Sequence, residues 1–110
     1  MEQLYLPVLS HFQNGNAWTA SDGRLRCRIV PGEGGLTAEA WEGPWAYEFS
    51  RVEDTSRFPM DETGLEALRA WAARWGAEIN ARPPRTLEEN LRRRDEVVQE
   101  KAKEMENAES

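Results

Sequence analysis

Arg24-Leu25-Arg26-Cys27-Arg28-Ile29-Val30 and Leu36-Thr37-Ala38-Glu39-Ala40-Trp41 are the two stretches that decide the fold. In both, side chains of opposite character alternate with a period of two, the pattern of a strand with one covered face. Leu25, Cys27 and Ile29 share one face of the first stretch, with Arg24, Arg26 and Arg28 on the other. In the second, Leu36, Ala38 and Ala40 point inward and Thr37, Glu39 and Trp41 outward. Pro31-Gly32-Glu33-Gly34-Gly35 joins them and reads as a hairpin loop, since no P-loop Lys-Ser/Thr follows and no helix starts there.

Further turn signals lie on both sides. Gly43-Pro44 leads into residues 45–52, where Trp45, Tyr47 and Phe49 alternate with Ala46, Glu48 and Ser50, so another strand is expected there. Upstream, Ser21-Asp22-Gly23 is a turn, Ala17-Trp18-Thr19 a short strand, and Asn14-Gly15 a tight turn. Residues 4–12 are rich in β-formers, but Pro7 cannot donate a ladder hydrogen bond, which makes them an edge or bulged strand. With every connection short, the sheet is an antiparallel meander.

After Pro59 the period changes. Asp61 is a good N-cap, Glu62 suits the first turn, and Leu65, Leu68, Ala72, Trp75 and Ile79 recur at helical spacing, with Trp71 widening the stripe. This places Trp75 on the central line and Trp71 at its margin. Pro83-Pro84 ends the helix. Thr86 to Glu89 then reads as a capping box for a second helix, supported by Glu88–Arg92 and Glu89–Arg93 pairs. Its apolar seam is narrow: Leu87, Leu91, Val98 and Met105, with Val97 beside it and Arg94 and Lys101 completing the heptad positions. The expected fold is α+β, an antiparallel β-meander of about four strands covered by one amphipathic helix, plus a charged C-terminal helix. Residues 1–82 form the core domain and 83–110 a charged helical extension.

Hydrophobic residues make up 39 % of the chain and charged residues 31 %, a polar bias that comes from the last part of the sequence, since all 5 tryptophans precede Pro83. The net charge of −6 disfavours direct nucleic-acid binding and anionic membranes and suits a basic protein partner. One cysteine allows no internal disulfide, and Met1-Glu2-Gln3 opens without the basic and apolar regions of a signal peptide, so the cytoplasm is expected.

Candidate chemistry is sparse. His11 has Ser10 as its sequence neighbour, but adjacent residues on a strand point to opposite faces. Cys27 belongs to the apolar set and reads as a small hydrophobe. One Cys and one His cannot build a zinc site, and neither Glu53-Asp54 nor Asp61-Glu62 matches a calcium loop. No catalytic residue, cofactor or metal is expected. Glu39 and Glu48 are better explained by ion pairs with Arg26 and Arg28 than by acid–base work.

Surfaces remain. The open sheet face would show Arg26, Arg28, Glu39, Glu48 and Trp41, with Trp41 either an exposed hot spot, held by a cation–π contact on that face, or covered by the second helix. Two acidic clusters complete the expected partner-binding set: Glu53, Asp54, Asp61 and Glu62 on the rim, and Glu88, Glu89, Asp95 and Glu96 on the second helix. That helix is either a solvated tail or a partner-binding helix using its apolar seam.

Leu4-Tyr5-Leu6-Pro7-Val8-Leu9-Ser10-His11-Phe12-Gln13-Asn14-Gly15-Asn16-Ala17-Trp18 resembles the opening of small accessory proteins of conjugative elements and prophages of gut Firmicutes. Trp41-Glu42-Gly43-Pro44, Phe58-Pro59-Met60 and Gly64-Leu65-Glu66-Ala67-Leu68-Arg69-Ala70-Trp71 look similar as well. Some such proteins are anti-CRISPR proteins. The resemblance therefore implies a non-enzymatic, protein-binding inhibitor acting in the host cytoplasm on a nuclease–guide RNA complex. The alternative is a structural or regulatory module of a mobile element that self-associates, as a homodimer, through its C-terminal helix.

Overall fold

The computed structural model describes residues 5–109, and side chains over residues 5–105. Strands β1 (Trp18–Asp22), β2 (Leu25–Gly32), β3 (Gly35–Glu42) and β4 (Asp54–Phe58) form one antiparallel sheet in the order β1-β2-β3-β4. Three helices accompany it: α1 (Leu9–Gln13), α2 (Glu62–Ala81) and α3 (Leu87–Glu109). The α+β meander is thus as expected. The alternation in β2 and β3 is also as read: Leu25, Cys27, Ile29, Leu36, Ala38 and Ala40 are fully buried. In the register Cys27 lies opposite Ala40 and Ile29 opposite Ala38, so small residues on β3 face larger ones on β2.

Asp61 caps α2, its carboxylate accepting the Gly64 N–H at 2.6 Å. Leu65, Leu68, Trp71, Ala72 and Ile79 are buried in one cluster with the sheet residues, and Trp75 packs against it half-buried. The order of the two tryptophans is therefore the reverse of the expected one. Trp71 packs edge-on to Phe58 at 5.8 Å, and both indole N–H groups donate to Asp54 Oδ2, at 2.9 Å from Trp71 and 3.0 Å from Trp75. Asp54 thus anchors the face of α2 that crosses β4.

Two expected strands are absent. The part of residues 4–12 that is described forms no strand. Instead residues 9–13 make the short helix α1, with Leu6 and Phe12 buried; Leu4 lies outside the described residues. The Asn14-Gly15 signal ends this helix rather than closing a hairpin. Gly15 takes φ 83° and donates its N–H to the Phe12 carbonyl at 2.9 Å. In residues 45–52, Tyr47–Phe49 is one turn of 3₁₀ helix, closed by the Ser50 hydroxyl donating to Ala46 O at 2.8 Å. Pro44 at its head brings no N–H for a ladder. The fourth strand is displaced to Asp54–Phe58, entered by the Glu53 N–H donating to Ala40 O at 2.7 Å.

The hairpin between β1 and β2 is held by the end of α2. Gly23 takes φ 60°, and a Cβ there would run into the amide of Asn80. That amide bridges the turn, accepting from Arg24 N at 2.8 Å and donating to Asp22 O at 2.9 Å. The last turn of α2 and the first hairpin are thus one unit.

Candidate functional site

The outer face of the sheet is half covered. After β3 the chain folds back over it, and Trp41, 1 % exposed, donates its indole N–H to Trp45 O at 3.0 Å. The Tyr47 ring stands edge-on to it at 5.6 Å. Trp41 is therefore no exposed hot spot. Its cover is the 44–47 segment, which lies between it and α3. Over β1 and β2 the face stays open as a cleft of about 440 Å³, floored by Thr19, Arg26 and Arg28 and walled by Trp41 and residues 44–48.

Of the open-face candidates, Arg28, Glu39 and Tyr47 form one network. Arg28 Nη1 lies 3.5 Å from Glu39 Oε1, its guanidinium sits 4.6 Å from the Tyr47 ring centre, and the Tyr47 hydroxyl donates to Glu39 Oε2 at 3.0 Å. The bond to Glu39 holds the tyrosine hydroxyl above its usual pKa. Arg26 turns instead to backbone, donating to Gly23 O at 2.6 Å and Leu25 O at 3.1 Å. Glu48 is exposed at the rim, and its carbonyl accepts from Lys101 Nζ at 2.6 Å.

That last contact belongs to α3. Thr86 Oγ1 accepts the Glu89 N–H at 3.1 Å, which starts the helix where the capping box predicts. The docked side is not the apolar seam. Val97 is buried, Asn90 O accepts the Trp45 indole N–H at 2.8 Å, and Arg94 lies 5.0 Å from the Trp45 ring centre. Lys101 lies 5.6 Å from the Tyr47 ring centre, and Glu100 pairs with Arg51. The two basic seam positions thus bind aromatic faces, as cations do over ring quadrupoles, while Leu87 and Met105 are each 69 % exposed.

This contact gives the first expected result. Deleting everything after Pro84 removes Val97, the Trp45–Asn90 bond, both cation–ring contacts and the Arg85–Glu42 ion pair. The truncated chain is expected to fold, since its core cluster lies upstream, but with about 2–4 kcal/mol less stability. Urea unfolding followed by tryptophan fluorescence measures this, and an unchanged midpoint would show that α3 does not dock.

The strongest charge cluster centres on Glu42, a residue outside the expected partner-binding set. Glu42 has a side chain only 2 % exposed and meets three guanidinium groups: Arg24 at 3.1 Å, Arg82 at 3.0 Å and Arg85 at 2.8 Å. Arg82 is shared with Glu53 through two bonds of 2.8 and 2.9 Å, which raise its pKa, with Glu42 adding to the effect. Burial holds Arg85 below its usual value, and Arg93 nearby adds to that. Arg24 also donates to Arg82 O at 2.6 Å, Asn80 O at 3.2 Å and Pro83 O at 3.3 Å, capping the end of α2. The cluster ties the end of β3 to the α2–α3 linker. Its signal was in the alternation: Glu42 continues the inward row of Leu36, Ala38 and Ala40, and an inward charge at the end of an apolar row demands buried partners.

The acidic rim is thereby dispersed. Glu53 is engaged by Arg82, Asp54 by two indoles, and Asp61 by the Gly64 N–H, which leaves Glu62 exposed. On α3, Glu88, Glu89, Asp95 and Glu96 are all exposed, with Asp95 only 3.6 Å from its neighbour Arg94. Cys27 is fully buried, and burial together with the Asp22 charge pushes its thiol up to about 12, so the thiolate is scarce at neutral pH. His11 donates to Ala17 O at 3.1 Å and stands edge-on to Phe12 and Trp18, pinning α1 to β1.

Among the described residues no group of three or more His, Cys, Asp or Glu side chains could hold a metal ion, and no helix is long and apolar enough to cross a membrane. The fold and these surfaces define a small α+β protein with a buried ionic tie and a charged helix laid on its outer face. No family model, curated protein or solved structure matches the chain.

Proposed function

We propose that this chain is a non-enzymatic, protein-binding inhibitor encoded by a mobile element and directed at an RNA-guided nuclease. The observation that supports binding is the outer side of α3. The contacts of this helix with the rest of the molecule engage Asn90, Arg94, Val97, Glu100 and Lys101, and Glu88, Glu89, Asp95 and Glu96 stay exposed. Carboxylates displayed along a helix compete for the lysines and arginines with which a nuclease holds guide or target phosphates. The target class rests on the resemblance of residues 4–18, 41–44, 58–60 and 64–71 alone. A second reading, self-association through α3, draws on the exposed Leu87, Val98 and Met105.

A cleavage assay with a purified nuclease–guide complex tests the proposal. Inhibition is expected to titrate one chain to one complex and to weaken between 0.1 and 1 M salt, as the Debye length falls from about 10 Å to about 3 Å. Inactivation at substoichiometric amounts would mean catalysis, and full cleavage at excess chain would remove the target.

A further inference from the structure

We infer that the outer stripe of α3 is a recognition helix for a protein partner whose shallow apolar groove carries Lys or Arg along one rim, and that a second copy of this chain is not its occupant. The inference rests on the binding half of the function proposed above and names the surface and its chemistry.

At about 100° per residue, Leu87, Leu91, Val98 and Met105 fall within about 40° of one another on α3. Leu87, Val98 and Met105 are 69 %, 45 % and 69 % exposed, which makes half of the large exposed hydrophobic residues of the described chain members of one helix face. Leu91 is half-buried between them. On one flank lie Asn90, Arg94, Val97 and Lys101, all turned onto the core. On the other lie Glu88 and Asp95, exposed. The free surface is therefore an apolar line with a carboxylate border on one side only.

That asymmetry selects the partner. Two copies pairing antiparallel along the stripe set the same flank of each helix against itself, so the edge carrying Glu88 and Asp95 on one copy meets that edge on the other and like charges face each other. Pairing parallel sets the acidic flank against the docked flank of the other copy, where Arg94 and Lys101 already engage Trp45 and Tyr47 and the core blocks approach. A groove with apolar floor and one basic rim satisfies both halves of the surface, in the way amphipathic helices seat in grooves. The net charge of −6 adds long-range attraction to such a partner and repulsion between copies.

Three measurements on the full chain test this. Sedimentation equilibrium should find a monomer; a dimer abolished by Val98→Asp would overturn the inference. Methyl NMR titration with a synthetic amphipathic Leu/Lys helical peptide should shift the Leu87, Leu91, Val98 and Met105 methyls and spare Ile29 and Ile79. Equal shifts with a Leu/Glu peptide, or none with either, would overturn it. In the cleavage assay, Val98→Asp with Met105→Asp, and separately Glu88→Lys with Asp95→Lys, should each raise the half-inhibiting concentration about tenfold or more. All four sites are exposed, so thermal midpoints should hold. If both variants inhibit like the parent, the surface falls and the binder stands; if the peptide binds as described but no nuclease is inhibited, the target falls and the surface stands.

Discussion

Replacing Glu42 by Gln is expected to cost about 3–5 kcal/mol of folding stability. The substitution keeps the shape of the side chain and removes its charge, leaving Arg24, Arg82 and Arg85 to face one another around a site that is 2 % exposed. Arg82 retains Glu53, but Arg24 and Arg85 form their closest carboxylate contacts with Glu42, at 3.1 and 2.8 Å. Removing one partner of a buried ionic group leaves uncompensated charge, which is why the cost exceeds that of a surface pair. Arg85→Ala should cost less, because it withdraws charge from a cluster that stays balanced by Arg24 and Arg82. Urea titration at neutral pH gives both values; a Glu42→Gln loss below about 1 kcal/mol would mean that water reaches the cluster.

Trp71→Ala should cost about 3–5 kcal/mol, and Trp75→Ala clearly less. Trp71 is 5 % exposed, fills the space against Phe58 and bonds Asp54, whereas Trp75 shares the Asp54 bond but is only partly buried. Equal losses would show that the Asp54 bonds, rather than ring burial, carry the loss. The same carboxylate makes stability depend on acid. Its bonds from Trp71 and then Trp75 hold Asp54 below the unfolded value of 3.8, so this contribution is present above that value and fades as pH falls through the folded one. Asp54→Asn should flatten the acid limb of the unfolding curve.

These two sites also show how far the sequence could be read. Strict alternation in β2 and β3 has one solution, because a slip by one residue would turn Leu25, Cys27 and Ile29 to solvent. The N-cap at Asp61 and the helical stripe after it are equally local, and both are where they were expected. Residues 45–49 alternate just as well, yet Pro44 and the Ser50 hydroxyl close a 3₁₀ turn there, and a weaker pattern, Asp54–Phe58, takes the edge of the sheet. Periodicity cannot weigh a side-chain bond against a ladder bond. Which of Trp71 and Trp75 is deeper depends on where β4 passes beneath α2, a tertiary fact. The Glu42 cluster unites residues from four stretches of chain, and only the parity of Glu42 announced it. The acidic rim dissolved for the same reason: Glu53 and Asp54 found partners distant in the sequence, while Asp61 is taken up by the N-cap already expected of it.

The tie at Glu42 spans the chain in time as well as in space. Arg85 follows Glu42 by 43 residues, so a ribosome adding about 5–20 residues per second delivers it roughly 2–9 s later. Through most of that interval, until Asn80 and Arg82 are made, the carboxylate has only Arg24, made earlier, as a partner, and no Asn80 amide grips the β1–β2 turn. The nascent sheet therefore keeps its Glu42 end hydrated and open until the end of α2 and the linker emerge. Closure waits on the end of α2 and the linker after it, so a transcript cut short before Arg82 yields a product that cannot lock.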